Sequence, residues 1–221
     1  MRQDLTARLL CLGTKERELL QDIFQARFVT GSGARAFADL ADGSLQELIR
    51  GGFLREVGTA SGDVCYLAQT GIRAALALLG GGRDGGSRAY AALRLGHELR
   101  RADLYLALRR LDMPASAYWA EPRLAYRSAA GLGLRALVPD ALVERLAGDA
   151  LVEVDRGTEG LSQLRHKWLR YREWLEDAPG RSLYVLADDP ARVLATLAAA
   201  GLRAEVLGEP QDLAEAIWLP R

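Results

Sequence analysis

The sequence predicts an α/β protein in two parts, and three observations carry that reading. Residues 14–79 read as three helices, a hairpin and a further helix. Residues 80–88, GGGRDGGSR, then break the chain with glycine. Beyond them the order is helix, three strands, helix, strand, helix, strand and a last short helix, which is an α/β sandwich with a mixed sheet. The expected boundaries are 1–80 for the first domain, 81–88 for a Gly-rich linker and 89–221 for the second domain.

The N-terminal elements follow from local pattern. Thr14 is an expected N-cap with Glu16 in the first turn, and Leu19, Leu20, Ile23 and Phe24 make one apolar face. Gly31 to Gly33 break the chain, and Phe37 with Leu40 mark a short second helix. Ser44 and Glu47 have the spacing of a capping box opening a third helix. That helix turns Leu45, Leu48 and Ile49 inward and stops at Gly51 and Gly52. Residues 53–57 and 64–67 are the strands of a hairpin, and Ile72, Leu76 and Leu79 belong to the helix that follows. Three helices and then a hairpin is the winged-helix order, in which the third helix enters the major groove and the hairpin lies along phosphates. Gln46, Glu47 and Arg50 would face outward on that helix, with Arg55 at the base of the wing. Gln46, Arg50 and Arg55 are therefore the expected contacts to double-stranded DNA, and a two-fold operator would suit a homodimer.

In the C-terminal part, residues 89–111 read as a helix with Leu95, Leu99 and Leu106 on one side. Strands are expected at 118–126, 137–146 and 150–155, then a helix over 158–177. Strands at 182–187 and 204–207 flank a helix over 191–200.

Composition limits the function without settling it. The 221 residues carry 29 basic and 29 acidic side chains, and residues 1–80 carry nine of each. A basic excess is the usual footprint of a nucleic-acid binder, so DNA recognition has to rest on pattern here. No apolar run reaches 18 residues, and no leader pattern precedes the charged stretch at 15–18, so a cytoplasmic protein away from membranes is expected. Cys11 and Cys65 have no metal spacing and read as small buried hydrophobes. Trp119, Trp168, Trp174 and Trp218 read as core. Of the basic residues only Lys15 and Lys167 are lysines, which singles out Lys167 inside an amphipathic helix.

Three acids have a spacing that can carry chemistry. Alternate strand residues share a face, so Glu153 and Asp155 should point one way and Val152 and Val154 into the core, with Asp140 reaching the same edge from the neighbouring strand. Clustered carboxylates repel unless a cation or protons compensate them, which favours a hard ion such as Mg²⁺ or Mn²⁺ held by Asp140, Glu153 and Asp155. Strand-end acids paired with arginines are the plain alternative. At 100° per residue Lys167 flanks the apolar stripe with Leu164, Tyr171 and Trp174, and the carboxylate strand could supply its partner; an ammonium snorkelling at the helix edge is equally consistent.

Several strings occur together in order. Leu95-Gly96-His97-Glu98-Leu99 is followed by Tyr118-Trp119-Ala120-Glu121 and Pro139-Asp140-Ala141. Then come Val152-Glu153-Val154-Asp155-Arg156-Gly157-Thr158-Glu159, Lys167 and Tyr171. This series resembles the bacterial plasmid replication-relaxation family, and EVDRGTE with the later Lys and Tyr is its most specific part. The resemblance implies a winged helix joined to a restriction-endonuclease-like domain of the PD-(D/E)XK kind, and a role with plasmids and other mobile elements. Active nucleases of that kind place a lysine two residues after the acid, where this chain has Asp155. Some carry the lysine on the following helix, where Lys167 sits. Two outcomes stay open. Asp140, Glu153, Asp155 and Lys167 form a metal-dependent nuclease site, or the site is a relic in which Lys167 bridges directly to Glu153 or Asp155. DNA binding for plasmid maintenance or transcription, nuclease chemistry and a protein-interaction adaptor are the three functional classes the sequence admits.

Overall fold

The structure, a computed structural model, describes residues 2–38, 43–59, 62–79, 95–120, 137–176 and 180–219. The chain forms two units, Met1–Ala102 and Asp103–Arg221. The Gly-rich linker expected at 81–88 lies outside the described residues.

The first unit runs α1 (Arg2–Leu10), α2 (Thr14–Ala26), β1 (Phe28–Thr30), α3 (Gly31–Ala38), α4 (Ser44–Arg50), β2 (Leu54–Thr59), β3 (Gly62–Leu67) and α5 (Gln69–Leu78). Helix α2 buries Leu19, Leu20, Ile23 and Ala26, and α5 buries Ile72, Ala74 and Ala75. Strands β2 and β3 form the expected hairpin, antiparallel from Leu54↔Leu67 to Thr59↔Gly62. Strand β1 adds to the other side of β3 in the register Phe28↔Tyr66, giving a three-stranded sheet. Neither α1 nor β1 is expected from the sequence, and a three-residue strand is too short to show a period of two.

The helix starts differ from expectation by a residue or more. Gly13 and Gly43, not Thr14 and Ser44, occupy the N-cap positions, and neither helix has a side-chain cap. Gly31 and Gly33 lie in the first turn of α3, where the Thr30 hydroxyl accepts the Gly33 N–H at 3.0 Å. Leu40, expected in this helix, lies outside the described residues. Cys65 is buried as expected, but Cys11 is exposed. At Gly71 a Cβ would lie 2.0 Å from the Phe53 carbonyl oxygen, so glycine is what lets α5 pack against the chain entering the hairpin.

Helix α6 (Leu95–Arg110) contains the boundary between the units. Its first turns belong to the first unit, where Arg101 and Glu98 are buried. Arg101 donates to the Ala26 carbonyl at 3.1 Å and to Glu98 at 2.5 Å, and Arg27 reaches Glu98 at 3.0 Å. A guanidinium thus meets the carbonyl end of α2, where the helix dipole favours a cation.

The second unit is built on a five-stranded sheet in the order β4-β5-β6-β7-β8. Its strands are β4 (Tyr118–Ala120), β5 (Ala141–Val143), β6 (Ala150–Asp155), β7 (Ser182–Ala187) and β8 (Glu205–Leu207). The β4–β5 and β5–β6 pairs are antiparallel, and β6–β7 and β7–β8 are parallel, which is the expected mixed sheet. Helices α7 (Leu161–Glu176) and α8 (Pro190–Ala200) connect the parallel strands, and α9 (Pro210–Trp218) follows β8. One sheet face offers Leu142, Leu151, Leu183, Val185 and Ala187 to Leu164, Trp168 and Tyr171 of α7 and to Val193 and Leu197 of α8. On the other face Tyr105 packs edge-on against Tyr118 at 4.7 Å between ring centres, and Arg145 ties the Tyr184 hydroxyl to the Ile217 carbonyl of α9.

The expected strand over 137–146 contracts to Ala141–Val143 for a definable reason. Extending the register by one pair would set Asp140 against Glu153 and, one step further, Pro139 against Val154, and proline has no N–H for the ladder. The Asp140 carboxylate accepts the Val154 N–H at 2.8 Å in its place. The strand expected to 126 is described only to Ala120, the rest lying outside the described residues. Helix α7 begins at Leu161, not at 158, and Gly157, with φ +70°, turns the chain as it leaves β6.

Candidate functional site

The parallel pair β6–β7 brings its carboxyl ends together at Asp155↔Ala187. Open α/β sheets bind ligands at such strand ends. The chain leaves β6 through residues 156–160 and enters α7, which lies back across the sheet. That crossover brings Lys167, in the second turn of α7, over the acids of the strand.

Both faces of β6 are buried, so the expected split, valines inward and acids outward, does not hold. Glu153 and Asp155 share their face with Leu151, the one covered by α7 and α8, and are 4 % and 6 % exposed. Buried carboxylates need partners, and each has one. Glu153 accepts from Lys167 Nζ at 3.0 Å through one oxygen and from the Tyr171 hydroxyl through the other. Lys167 also donates to Glu159 at 2.9 Å. Asp155 accepts from Arg192 of α8 at 2.8 Å, and the same guanidinium donates to the Glu159 carbonyl. Asp155 is therefore bound to an arginine and not to Lys167. At the rim, Arg156 pairs with Asp188 at 2.6 Å.

Burial, reinforced by the nearby Asp140 carboxylate, pushes the Glu153 carboxyl up to about 8 against the opposing pull of Lys167 and Tyr171. Burial lowers Lys167, but the Glu153 and Glu159 carboxylates outweigh it and hold the ammonium above the ordinary lysine range. Burial and the same Glu153 carboxylate raise the Tyr171 phenol well above its usual value, so it stays a donor.

Lys167 thus stands beside Glu153 in direct contact, one of the two arrangements the sequence left open. Every acid expected to hold an ion is engaged by a protein donor: Asp140 by a backbone N–H, Glu153 by Lys167 and Tyr171, Asp155 by Arg192. Among the described residues no group of three His, Cys, Asp or Glu side chains is placed to hold a metal ion. As arranged, the residues do not fit Mg²⁺ or Mn²⁺, whose binding would need several carboxylate oxygens turned to one point.

Three participants carried no expected role. Tyr171 and Glu159 stand in the strings that give the family resemblance, and Tyr171 lies one turn beyond Lys167 on the same helix side. Arg192 is the one charged residue in the α8 sequence PARVLATLAAA, which is the signal that could have found it.

In the first unit, α4 buries Leu45 and Leu48 and exposes Gln46, Glu47 and Arg50. Arg55 is exposed on β2. All four outward positions expected from the sequence are at the surface of one unit. No described helix is long and apolar enough to cross a membrane.

Residues 18–181 match the model of one protein family, described as replication-relaxation. The match spans well over half of the chain and contains α4, the hairpin, β6 and all of α7. Arg192 lies beyond it. No curated protein and no solved structure matches the chain.

Proposed function

The chain belongs to the replication-relaxation family, and on that premise we propose that it binds duplex DNA in plasmid or mobile-element maintenance, using its first unit as a winged helix. The observation that carries the reading is α4 with its two faces. Leu45 and Leu48 anchor it, while Gln46, Glu47 and Arg50 are exposed and the β2–β3 hairpin with Arg55 follows at once. Gln and Arg suit base edges and phosphates, and a hairpin after the third helix is the wing of that motif. The order of elements in the first unit, with a short β1 pairing the hairpin, supports the same reading.

The second unit serves in this proposal as a nuclease-like α/β scaffold whose charged site is compensated from within. Lys167 and Arg192 supply the positive charge that a divalent ion would otherwise bring to Glu153 and Asp155.

A gel-shift and nicking assay on supercoiled plasmid, with and without Mg²⁺ or Mn²⁺, tests both statements. The expected result is a retarded complex that neither ion changes, with no nicked product. Metal-dependent nicking that disappears in Glu153→Ala would replace the scaffold reading with a nuclease. Absence of any complex at low salt would remove DNA binding itself.

A further inference from the structure

We propose that Lys167 is a phosphate-binding residue and that the Glu159 carboxylate occupies its place until a phosphate group displaces it. The inference deepens the DNA-binding reading and rests on it for the source of the phosphate, a nucleic-acid backbone.

The two carboxylates on Lys167 differ in how firmly they are held. Glu153 is buried and fixed by two donors, Lys167 at 3.0 Å and the Tyr171 hydroxyl. The Glu159 side chain is 39 % exposed and is held by Lys167 at 2.9 Å. Its backbone is secured separately, because Arg192 holds the Glu159 carbonyl while also gripping Asp155. The carboxylate can therefore swing off the ammonium without unpinning the loop at that point. What it would vacate is an outward-facing position on a lysine that is 24 % exposed.

The surroundings suit an incoming oxyanion. The position lies at the carboxyl ends of parallel strands β6 and β7. Arg165 and His166 are exposed on the first turns of α7, next to Lys167 in sequence, and Arg156, paired with Asp188 at 2.6 Å, stands on the loop. An ammonium binds carboxylate and phosphate oxygens alike as a point charge, so a phosphate can take over the Glu159 contact while Glu153 keeps its own.

The test uses the full chain and two probes, labelled duplex DNA read by fluorescence anisotropy and inorganic phosphate read by calorimetry. Glu159→Gln should tighten DNA binding several-fold and make phosphate uptake measurable. Adding Lys167→Gln should cancel both gains, while Glu159→Gln with Lys167→Arg should keep them, which separates lost charge from a misfolded site. Asp149→Asn removes an acid that pairs with Arg181 at 3.7 Å near the opposite end of β6, and should change DNA affinity less than twofold. The proposal is overturned if Glu159→Gln binds neither probe better than wild type, or if its gain survives the loss of Lys167. A Lys167-dependent gain for inorganic phosphate with no DNA binding by any variant keeps the phosphate site and makes its source a free phosphate compound, which overturns the nucleic-acid reading alone.

Discussion

At the scale of single residues, two buried carboxylates respond to pH in opposite directions. Burial raises Glu98, but Arg101 and Arg27 outweigh it and hold its carboxyl below the ordinary value of 4.5. A lowered carboxyl contributes stability above its unfolded value and loses it as pH falls through the folded one. Glu153 is raised to about 8, so the folded chain binds a proton that the unfolded chain releases between 4.5 and about 8. Its contribution therefore declines as pH rises through that window. Melting curves should show the first unit weakening below pH 4.5, a slope that Glu98→Gln flattens. The second unit should weaken as pH rises from 4.5 to about 8, and Glu153→Gln should flatten that slope. Arg101→Ala should destabilise the first unit by about 3–5 kcal/mol, because it strands Glu98 as an undercompensated buried charge. A loss under about 1 kcal/mol in chemical denaturation would contradict that account.

At the scale of elements, the sequence was most legible where period and partner agreed. Strands β6 and β7 fell on the expected residues, 150–155 and 182–187, because short apolar runs bounded by turns can pack on both faces. The same burial hid which face is which, since alternation says which residues share a side but not which side is covered. Lys167 was legible from its position beside the apolar stripe of α7, and its pairing with Glu153 followed once the helix crossed the strand. Arg192 was harder to find, because its bond to Asp155 joins two elements 37 residues apart and its one local mark is being the single charge in an otherwise apolar helix. The caps fall one residue earlier than expected because Gly13 and Gly43 take the N-cap backbone without a side chain, a choice that Ser or Thr next door disguises. Trp168 is the keystone of α7: it is fully buried and donates its indole N–H to Thr196 of α8 at 2.9 Å. Trp168→Ala should cost about 3–5 kcal/mol in the second unit, and Trp168→Phe about 1–3 kcal/mol through the missing hydrogen bond. Equal stability of Trp168→Phe and wild type would show that the bond to Thr196 does not contribute.

At the scale of the whole molecule, the DNA binding proposed for a formally neutral protein has to rest on the placement of its charge. Twenty-nine cations balance twenty-nine anions, and in the second unit the buried acids are engaged from within, Glu153 by Lys167 and Tyr171 and Asp155 by Arg192. Pairing an acid with a cation leaves the net charge unchanged, so where the exposed arginines stand decides the field that a partner meets. The winged-helix reading makes Arg50 and Arg55 two of the groups that meet phosphates or bases. Removing a cation that neutralises a phosphate lowers the salt dependence of binding by about one counterion. The most direct measurement is the slope of log affinity against log salt for duplex DNA, taken for wild type and for Arg50→Ala/Arg55→Ala. The account predicts a steep slope for wild type, a slope shallower by about 2 for the double variant, and weaker binding by a few kcal/mol at most. Identical slopes and affinities for the two proteins would contradict it, because the winged helix would then not be the surface that reads DNA.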